Sequence, residues 1–264
     1  MKNGFNFKKK FGQNFIKDKR IVERIVSETE IPDDTLVIEV GPGKGILTSE
    51  IIKKAKYVIS YEIDLELKPY LDEKFVDSDN LQIIYDDFMN RNVEEDIKKY
   101  NFKHLYFIAN VPYYITTPIL MKLITLNISV EKITMMVQEE VGNRFCASYG
   151  SKDYSSISVY LNYYFDVKKL FIVKREEFVP VPNVDSIIIS LTKKDKLLDV
   201  DDYTFFFKLV KDCFQFKRKN LKNNLKGYDL EKISNILSQY NLSLSNRAEE
   251  LPVEVFVAIS NELS

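Results

Sequence analysis

The sequence predicts a doubly wound α/β domain followed by a small helical domain. Three observations carry this. Short, nearly continuous apolar runs recur through roughly the first 140 residues, as expected of strands covered on both faces. Helical patterns, with apolar residues three and four apart, alternate with these runs in the rhythm of repeated βα units. After about residue 191 only helical patterns remain.

The elements follow in order. DKRIVERIVSETE (18–30) predicts a helix with Ile21, Val22, Ile25 and Val26 on one face, ended by Pro32-Asp33-Asp34. TLVIEV (35–40) is a short buried strand, GPGKG (41–45) a tight glycine turn, and ILTSEIIKK the helix behind it. YVISYEI (57–63) is the next strand. DLELKPYLDEKF then forms a helix, with Leu67, Leu71 and Phe75 four apart and Pro69 tolerated in its first turn. LQIIYDD (81–87), HLYFIAN (104–110) and KITMMVQ (132–138) are further strands. Between the last two, Thr117 reads as an N-cap with Pro118 at the first helical position. SSISVYLNYYF and SIIISLTKK read as late strands forming an antiparallel, hairpin-like edge. DLEKISNILSQY and VEVFVAISNEL are helices. The expected domains are 1–190 and 191–264, and no internal repeat or long linker is visible.

Bulk composition excludes several classes. The 264 residues are 45% apolar and 29% charged, the balance of a folded chain. No apolar run approaches membrane-spanning length, and the basic N-terminus lacks the apolar segment of a secretory signal, so no membrane is expected as a partner. Cys146 and Cys213 make no disulfide framework, and a reducing cytoplasm is the expected setting. His104 is the only histidine, so neither a histidine-based metal site nor a Ser-His-Asp triad is expected. No oligomerisation stripe is present, and a monomer is expected. The net charge is −1, but it is unevenly spread. Residues 1–24 carry eight Lys/Arg against Asp18 and Glu23, a balance of +6, and CFQFKRKNLKNNLK (213–226) carries five basic residues and no acid. Such patches suit phosphate backbones, and they equally suit an ordinary solvated surface.

The glycine turn is Glu39-Val40-Gly41-Pro42-Gly43-Lys44-Gly45. Its glycines permit positive φ and let a ligand approach the backbone closely. A dinucleotide site wants G-x-G-x-x-G, but Ile46 stands at the third glycine position. No Lys-Ser or Lys-Thr follows, which removes a nucleoside-triphosphate loop. The observed G-x-G-x-G with Glu39 two residues ahead suits S-adenosyl-L-methionine: an acid near the turn can bind an amine, directly or through water, and would repel a pyrophosphate. Glu62 ends the second strand, 19 residues after Gly43, where it can accept both ribose hydroxyls. Asp87 ends the third strand, placed to accept from the adenine amino group, with Asp86 as its solvated neighbour. Three acids at successive strand ends, beyond the carboxyl edge of an open sheet, define a Rossmann-like class I methyltransferase domain using S-adenosyl-L-methionine.

The fourth strand ends in Asn110-Val111-Pro112-Tyr113. The amine of a nucleobase is a poor nucleophile because its lone pair is delocalised. Two acceptors holding its hydrogens, the Asn110 side-chain oxygen and the Val111 carbonyl, would favour a tetrahedral nitrogen as transfer develops. Pro112 sets the backbone and Tyr113 offers a ring for stacking. A second aromatic station is Phe178-Val179-Pro180-Val181-Pro182-Asn183-Val184-Asp185-Ser186. Phe178 is either the far side of a base sandwich or a hydrophobic plug under the loop. Asp185 and Ser186 are expected to fix that loop, and Tyr114 to pack or bound the pocket.

Together these segments resemble the ribosomal RNA adenine N6-dimethyltransferases, the KsgA-type branch in particular, over nearly the whole chain. Lys10-Phe11-Gly12-Gln13-Asn14-Phe15 resembles the family's opening motif, which implies that Gln13, Asn14 and Phe15 help enclose the cofactor. Glu39 through Gly45 resembles its cofactor turn, Glu62 its ribose acid, Asp87 its adenine acid, and Asn110 through Tyr113 its catalytic tetrad, with Val111 in place of the usual leucine. Phe178 through Ser186 resembles its F-x-P-x-P-x-V-D-S signature. Phe216 through Leu225 resembles its basic helix, and Asn246-Arg247-Ala248-Glu249-Glu250-Leu251 its ending, where Pro252 replaces a common serine. The resemblance implies two adjacent adenosines near the 3′ end of 16S RNA in the small ribosomal subunit as substrate, in an assembling particle. Lys8, Lys9, Lys10, Arg20, Lys217, Arg218, Lys219 and Lys222 are expected to meet RNA as a group. Erm-type enzymes, which act on large-subunit RNA, share the catalytic part. The Arg-Ala-Glu-Glu-Leu ending favours the small-subunit branch.

Overall fold

The computed structural model describes residues 15–264, with the side chain of Phe15 outside that description. Among the described residues, those up to Gly142, with Lys168–Thr192, form one compact unit; Asn143–Val167 with Lys193–Ser264 forms another. The boundary expected near 190 is therefore close, but residues 143–167, expected in the first domain, fall in the second unit.

The first unit holds β1 (Phe15–Ile16), α1 (Lys19–Thr29), β2 (Thr35–Val40), α2 (Ile46–Ile51), β3 (Tyr57–Tyr61), α3 (Lys68–Lys74), β4 (Leu81–Ile84) and α4 (Val93–Ile97). It continues with β5 (His104–Ala109), α5 (Thr116–Thr125), β6 (Lys132–Gln138), most of α6 (Glu139–Phe145) and β7 (Phe165–Val173), β8 (Phe178–Val179), and β9 (Ser186–Lys193) up to Thr192. The main sheet runs β4-β3-β2-β5-β6-β9-β7. β2 lies parallel to β3 and β5, β5 is parallel to β6, and β9 pairs antiparallel with β6. All six residues of β2 are buried, because helices cover both sheet faces. Val22, Ile25 and Val26 of α1 join Leu47 and Ile51 of α2 in the core over Val37 and Ile108. Asp18 caps α1 by accepting from Arg20 N (2.9 Å).

The sequence from β2 moves outward through β3 to β4, then returns to β5 on the other side of β2. The reversal opens a crevice beyond the carboxyl ends of β2 and β5, the place where such sheets take ligands. Register brings Val40 opposite both Tyr61 and Ala109, so the segments after three strands meet at one edge.

Two expectations need correction. SSISVYLNYYF is not a strand: Ser156–Tyr164 is a helix, α7, of the second unit. Its Ser-Ile-Ser-Val start mimics strand alternation, but tertiary packing wins. Tyr160 packs against Phe207 of α8 (Tyr203–Cys213) with the rings tilted and their centroids 4.6 Å apart, and donates its hydroxyl to the Phe207 carbonyl (2.8 Å). The edge strand begins only at Phe165, and β9 lies between it and β6. Nor is Thr117 an N-cap: α5 starts at Thr116 after a short 3₁₀ turn, Tyr113–Ile115, and has no side-chain cap.

The second unit continues with α9 (Leu221–Asn224), α10 (Leu230–Gln239) and α11 (Val253–Leu263). Phe206, Leu209 and Val210 of α8 are buried with Val255, Phe256 and Ile259 of α11.

Candidate active site

Gly41, Gly43 and Gly45 have φ of 72°, 57° and 65°, the left-handed region that disfavours side chains. The Gly41 N–H donates to the Tyr61 carbonyl (2.9 Å), which ties the turn to the end of β3. A Cβ on Gly41 would stand 3.7 Å from the Asn110 carbonyl oxygen, so the glycine turn and the Asn110 loop form adjoining walls. Lys74 braces the turn from outside, donating to the Lys44 and Gly45 carbonyls (2.6 and 3.0 Å).

The cleft at this edge is lined by Gly41, Gly43, Glu62, Asp87, Asn110, Val111, Pro112, Tyr113 and Phe178, among others. The first residue after β3 is Glu62, only 1% exposed. Its carboxylate accepts from Gly43 N (3.0 Å) and Asp64 N (2.8 Å), and burial raises its pKa. Each oxygen keeps a second lone pair for a ligand. Asp87 lies three residues past β4; it accepts from Met89 N (2.9 Å) and caps a 3₁₀ turn, Phe88–Asn90. Asp86, expected only as a solvated neighbour, also lines the cleft.

Glu39 is displaced from expectation. It sits within β2, 1% exposed, and is absent from the cleft wall. Its Oε2 accepts from Thr48 (2.7 Å) and Ser60 (2.6 Å). Its Oε1 is buried without a partner among the described residues. Burial pushes its carboxyl up to about 7. Gly45, the N-cap of α2, is also outside the wall: a Cβ there would meet Phe75 at 2.5 Å, so this glycine serves packing.

Asn110 is the first residue past β5. Its side chain makes no hydrogen bond among the described residues, and neither does the Val111 carbonyl. The Tyr113 hydroxyl meets Ser186 Oγ at 2.8 Å. Tyr114 is 68% exposed in the cleft wall, so it bounds the pocket and does not pack. Phe178 is fully buried and belongs to the core, the place expected of the hydrophobic plug, and it also lines the cleft. It pairs with Ile16, as Val179 pairs with Phe15, so the end of the opening motif is strand-bonded to the proline-rich loop. Gln13 and Asn14 lie outside the described residues, as do Lys8, Lys9 and Lys10. As expected, Asp185 fixes its loop, accepting from Lys174 Nζ (2.7 Å) and Arg175 N (3.0 Å). His104 stands at the opposite end of β5, about 20 Å of strand from Asn110.

Sequence reasoning passed over Lys122. From α5 its ammonium donates to the carbonyls of Phe88, Met89 and Arg91 (2.7, 2.9 and 2.8 Å), pinning the turn that Asp87 caps. A lone lysine on a helix carries no signal of such a long-range role.

In the second unit the basic stretch is mostly loop, with only Leu221–Asn224 helical, a correction to the expected basic helix. The Asn224 amide closes the loop, donating to the Cys213 carbonyl (2.7 Å) and accepting from Phe216 N (3.2 Å). Leu221 N donates to the Asn246 carbonyl (2.9 Å), which binds the Arg-Ala-Glu-Glu-Leu segment to this loop. Phe216, Lys217, Arg218, Lys219 and Lys222 are left exposed. Arg20 of the first unit is also exposed, paired with Asp18 at 2.7 Å.

A sheet that reverses direction at β2, a glycine turn after β2 and a polar aromatic loop after β5 define a Rossmann-like α/β methyltransferase. The chain belongs to the ribosomal RNA adenine dimethylases, whose family model matches residues 4–264. It is 42% identical to ribosomal RNA small subunit methyltransferase A of Bacillus mycoides (strain KBAB4), over 99% of this chain and 93% of that one. The same protein of Bacillus cereus (strain B4264) matches with the same identity and coverage. Among solved structures, the 23S rRNA methyltransferase ErmE superposes with a TM-score of 0.74 at 26% identity, over 94% of this chain and 99% of that one. A dimethyladenosine transferase from Plasmodium falciparum superposes with a TM-score of 0.78 at 23% identity, over 93% and 95%, a likeness of fold. The chain is thus an S-adenosylmethionine-dependent methyltransferase of the class that dimethylates adenine N6 in ribosomal RNA. Among the described residues, no cluster of His, Cys, Asp or Glu could hold a metal ion, and no helix is long and apolar enough to cross a membrane.

Proposed function

We propose that this protein methylates N6 of two adjacent adenosines near the 3′ end of 16S RNA to N6,N6-dimethyladenosine, acting on an assembling small ribosomal subunit. The observation that carries the proposal is the pair of acceptors unengaged among the described residues, the Asn110 side-chain oxygen and the Val111 carbonyl, in the wall that adjoins the Gly41 turn. S-adenosyl-L-methionine supplies an electrophilic methyl group. The site fits it: the positive-φ glycines leave a cradle that a Cβ would narrow, and Glu39 Oε1 is a buried acceptor awaiting a donor. Glu62 would take the ribose hydroxyls, Asp87 the adenine amino group, and Glu39 the methionyl ammonium through water. Gln13, Asn14 and Phe15 would enclose it.

Toward the RNA, Asn110 and Val111 accept the two amine hydrogens and turn the nitrogen lone pair toward the donor. Tyr113 stacks the extruded base and Phe178 backs it. The nitrogen is acidic once methylated, so water can take its proton. That suits a site whose chain has one histidine, standing at the far end of β5. The exposed cations of the 217–222 loop meet phosphates, and the protein works as a cytoplasmic monomer. The small-subunit relatives support this target; the likeness to a 23S enzyme supports the second, large-subunit reading. Labelled methyl transfer to unmodified small subunits and, separately, to unmodified large-subunit RNA, followed by nucleoside analysis, decides between them. Dimethyladenosine at two adjacent small-subunit positions is expected. Label confined to large-subunit RNA would overturn the proposal, and tight small-subunit binding without label would leave only an assembly role.

A further inference from the structure

We propose that Ser186 is a positioning residue for methyl transfer: its hydroxyl holds the ring of Tyr113 at the place that receives the target base. This rests on the role given to the Asn110–Tyr113 loop above. The two hydroxyls meet at 2.8 Å across 73 residues of chain. Ser186 is fully buried at the start of β9, in register with Gln138 of β6. Its neighbour Asp185 is held by Lys174 and Arg175 through its carboxylate, and by Glu139 N on its carbonyl (3.0 Å). The serine is therefore a fixed point.

The tyrosine's own loop is not. Within it, Ile115 N donates to the Pro112 carbonyl (3.1 Å), while the Asn110 side chain and the Val111 carbonyl are unengaged among the described residues. Tyr114 projects into solvent. Among the described residues, the Ser186 contact is the side-chain hydrogen bond that ties this loop to the sheet. A stacking ring works through its face, and an anchor at the para position removes the ring's swing without covering either face. Burial also raises the Tyr113 pKa, so the hydroxyl stays protonated and serves as an anchor instead of a base.

The test combines Ser186→Ala, Tyr113→Phe and the double variant. Transfer rates and KM for RNA and cofactor are measured on the whole protein. Each single change is expected to lower kcat about three- to tenfold, the effect of one ordinary hydrogen bond, with KM for the cofactor unchanged. The double variant should lose no more than either single, because both remove the same bond. Additive losses would overturn the proposal, as would a loss of several orders of magnitude in Tyr113→Phe with Ser186→Ala unaffected. A second arm needs no RNA. In protein labelled with fluorotyrosine, the Tyr113 fluorine resonance, assigned through Tyr113→Phe, should shift and broaden in Ser186→Ala. An unchanged resonance refutes the anchor, whereas absence of transfer by the wild type would count only against the proposed substrate.

Discussion

Replacing Glu39 by Gln removes a charge that the fold buries unfavourably. The carboxyl moves from its ordinary 4.5 to about 7, chiefly through burial, against hydrogen bonds from Ser60 and Thr48 that favour the charged form. The folded protein therefore holds this proton more tightly than the unfolded chain. Below about pH 4.5 both states are protonated and the group costs nothing. As the pH rises from 4.5 to 7 the folded state loses stability, and above 7 the loss is complete, roughly 3 kcal/mol at 1.36 kcal/mol per pH unit. Glutamine keeps the shape, and the Thr48 and Ser60 hydroxyls can turn to accept from its amide. In urea unfolding at about pH 5.5 and about pH 8, wild type should lose roughly 2 kcal/mol relative to Glu39→Gln between the two. Parallel pH dependence in the two proteins would refute the buried-charge account. If the cofactor ammonium approaches Oε1, the variant should also bind S-adenosylmethionine more weakly.

Other outcomes follow from the same geometry. Asn110→Ala should keep cofactor affinity while transfer falls about 10²–10³-fold, the usual loss for one oriented polar group at a reacting centre; near-normal transfer rules out the amine-orienting role. Tyr113→Ala should weaken base binding by ~1–3 kcal/mol, seen as weaker capture of an RNA oligonucleotide carrying a fluorescent adenine analogue. Gly45→Ala combines left-handed strain with overlap on Phe75 and should cost about 2–5 kcal/mol in urea unfolding. Gly41→Ala has space and should cost only the strain, about 1–2 kcal/mol, so equal losses would show that Phe75 yields. Lys122→Met strips three carbonyls of their charged donor and should cost about 1.5–3 kcal/mol, with weaker cofactor binding measured by calorimetry because the Asp87 turn loosens.

Much of the site was legible because its signals are local. Three positive-φ positions demand glycine, and a strand buried on both faces must read as an unbroken apolar run, so the GPGKG turn, Glu62 and Asn110 could be located by counting along TLVIEV, YVISY and HLYFIA. Where pattern and packing compete, local signals mislead. Ser156–Tyr164 carries strand-like residues, yet its tyrosines find aromatic partners on α8 as a helix. Glu39 lies beside the turn in sequence, but strand alternation turns its side chain inward onto Thr48 and Ser60.

The alternating βα architecture, the glycine turn and the polar-aromatic loop are thus legible along the chain, since each is set by backbone sterics or burial within a few residues. Which distant groups meet is a matter of how the elements pack. The return of the chain from β4 to β5 lays Asn110 against Gly41, β9 inserts beside β6 to bring Ser186 under Tyr113, and α5 carries Lys122 onto the Asp87 turn. Those contacts join residues 31 to 73 positions apart, and strand order, which no local pattern encodes, is what closes the distance.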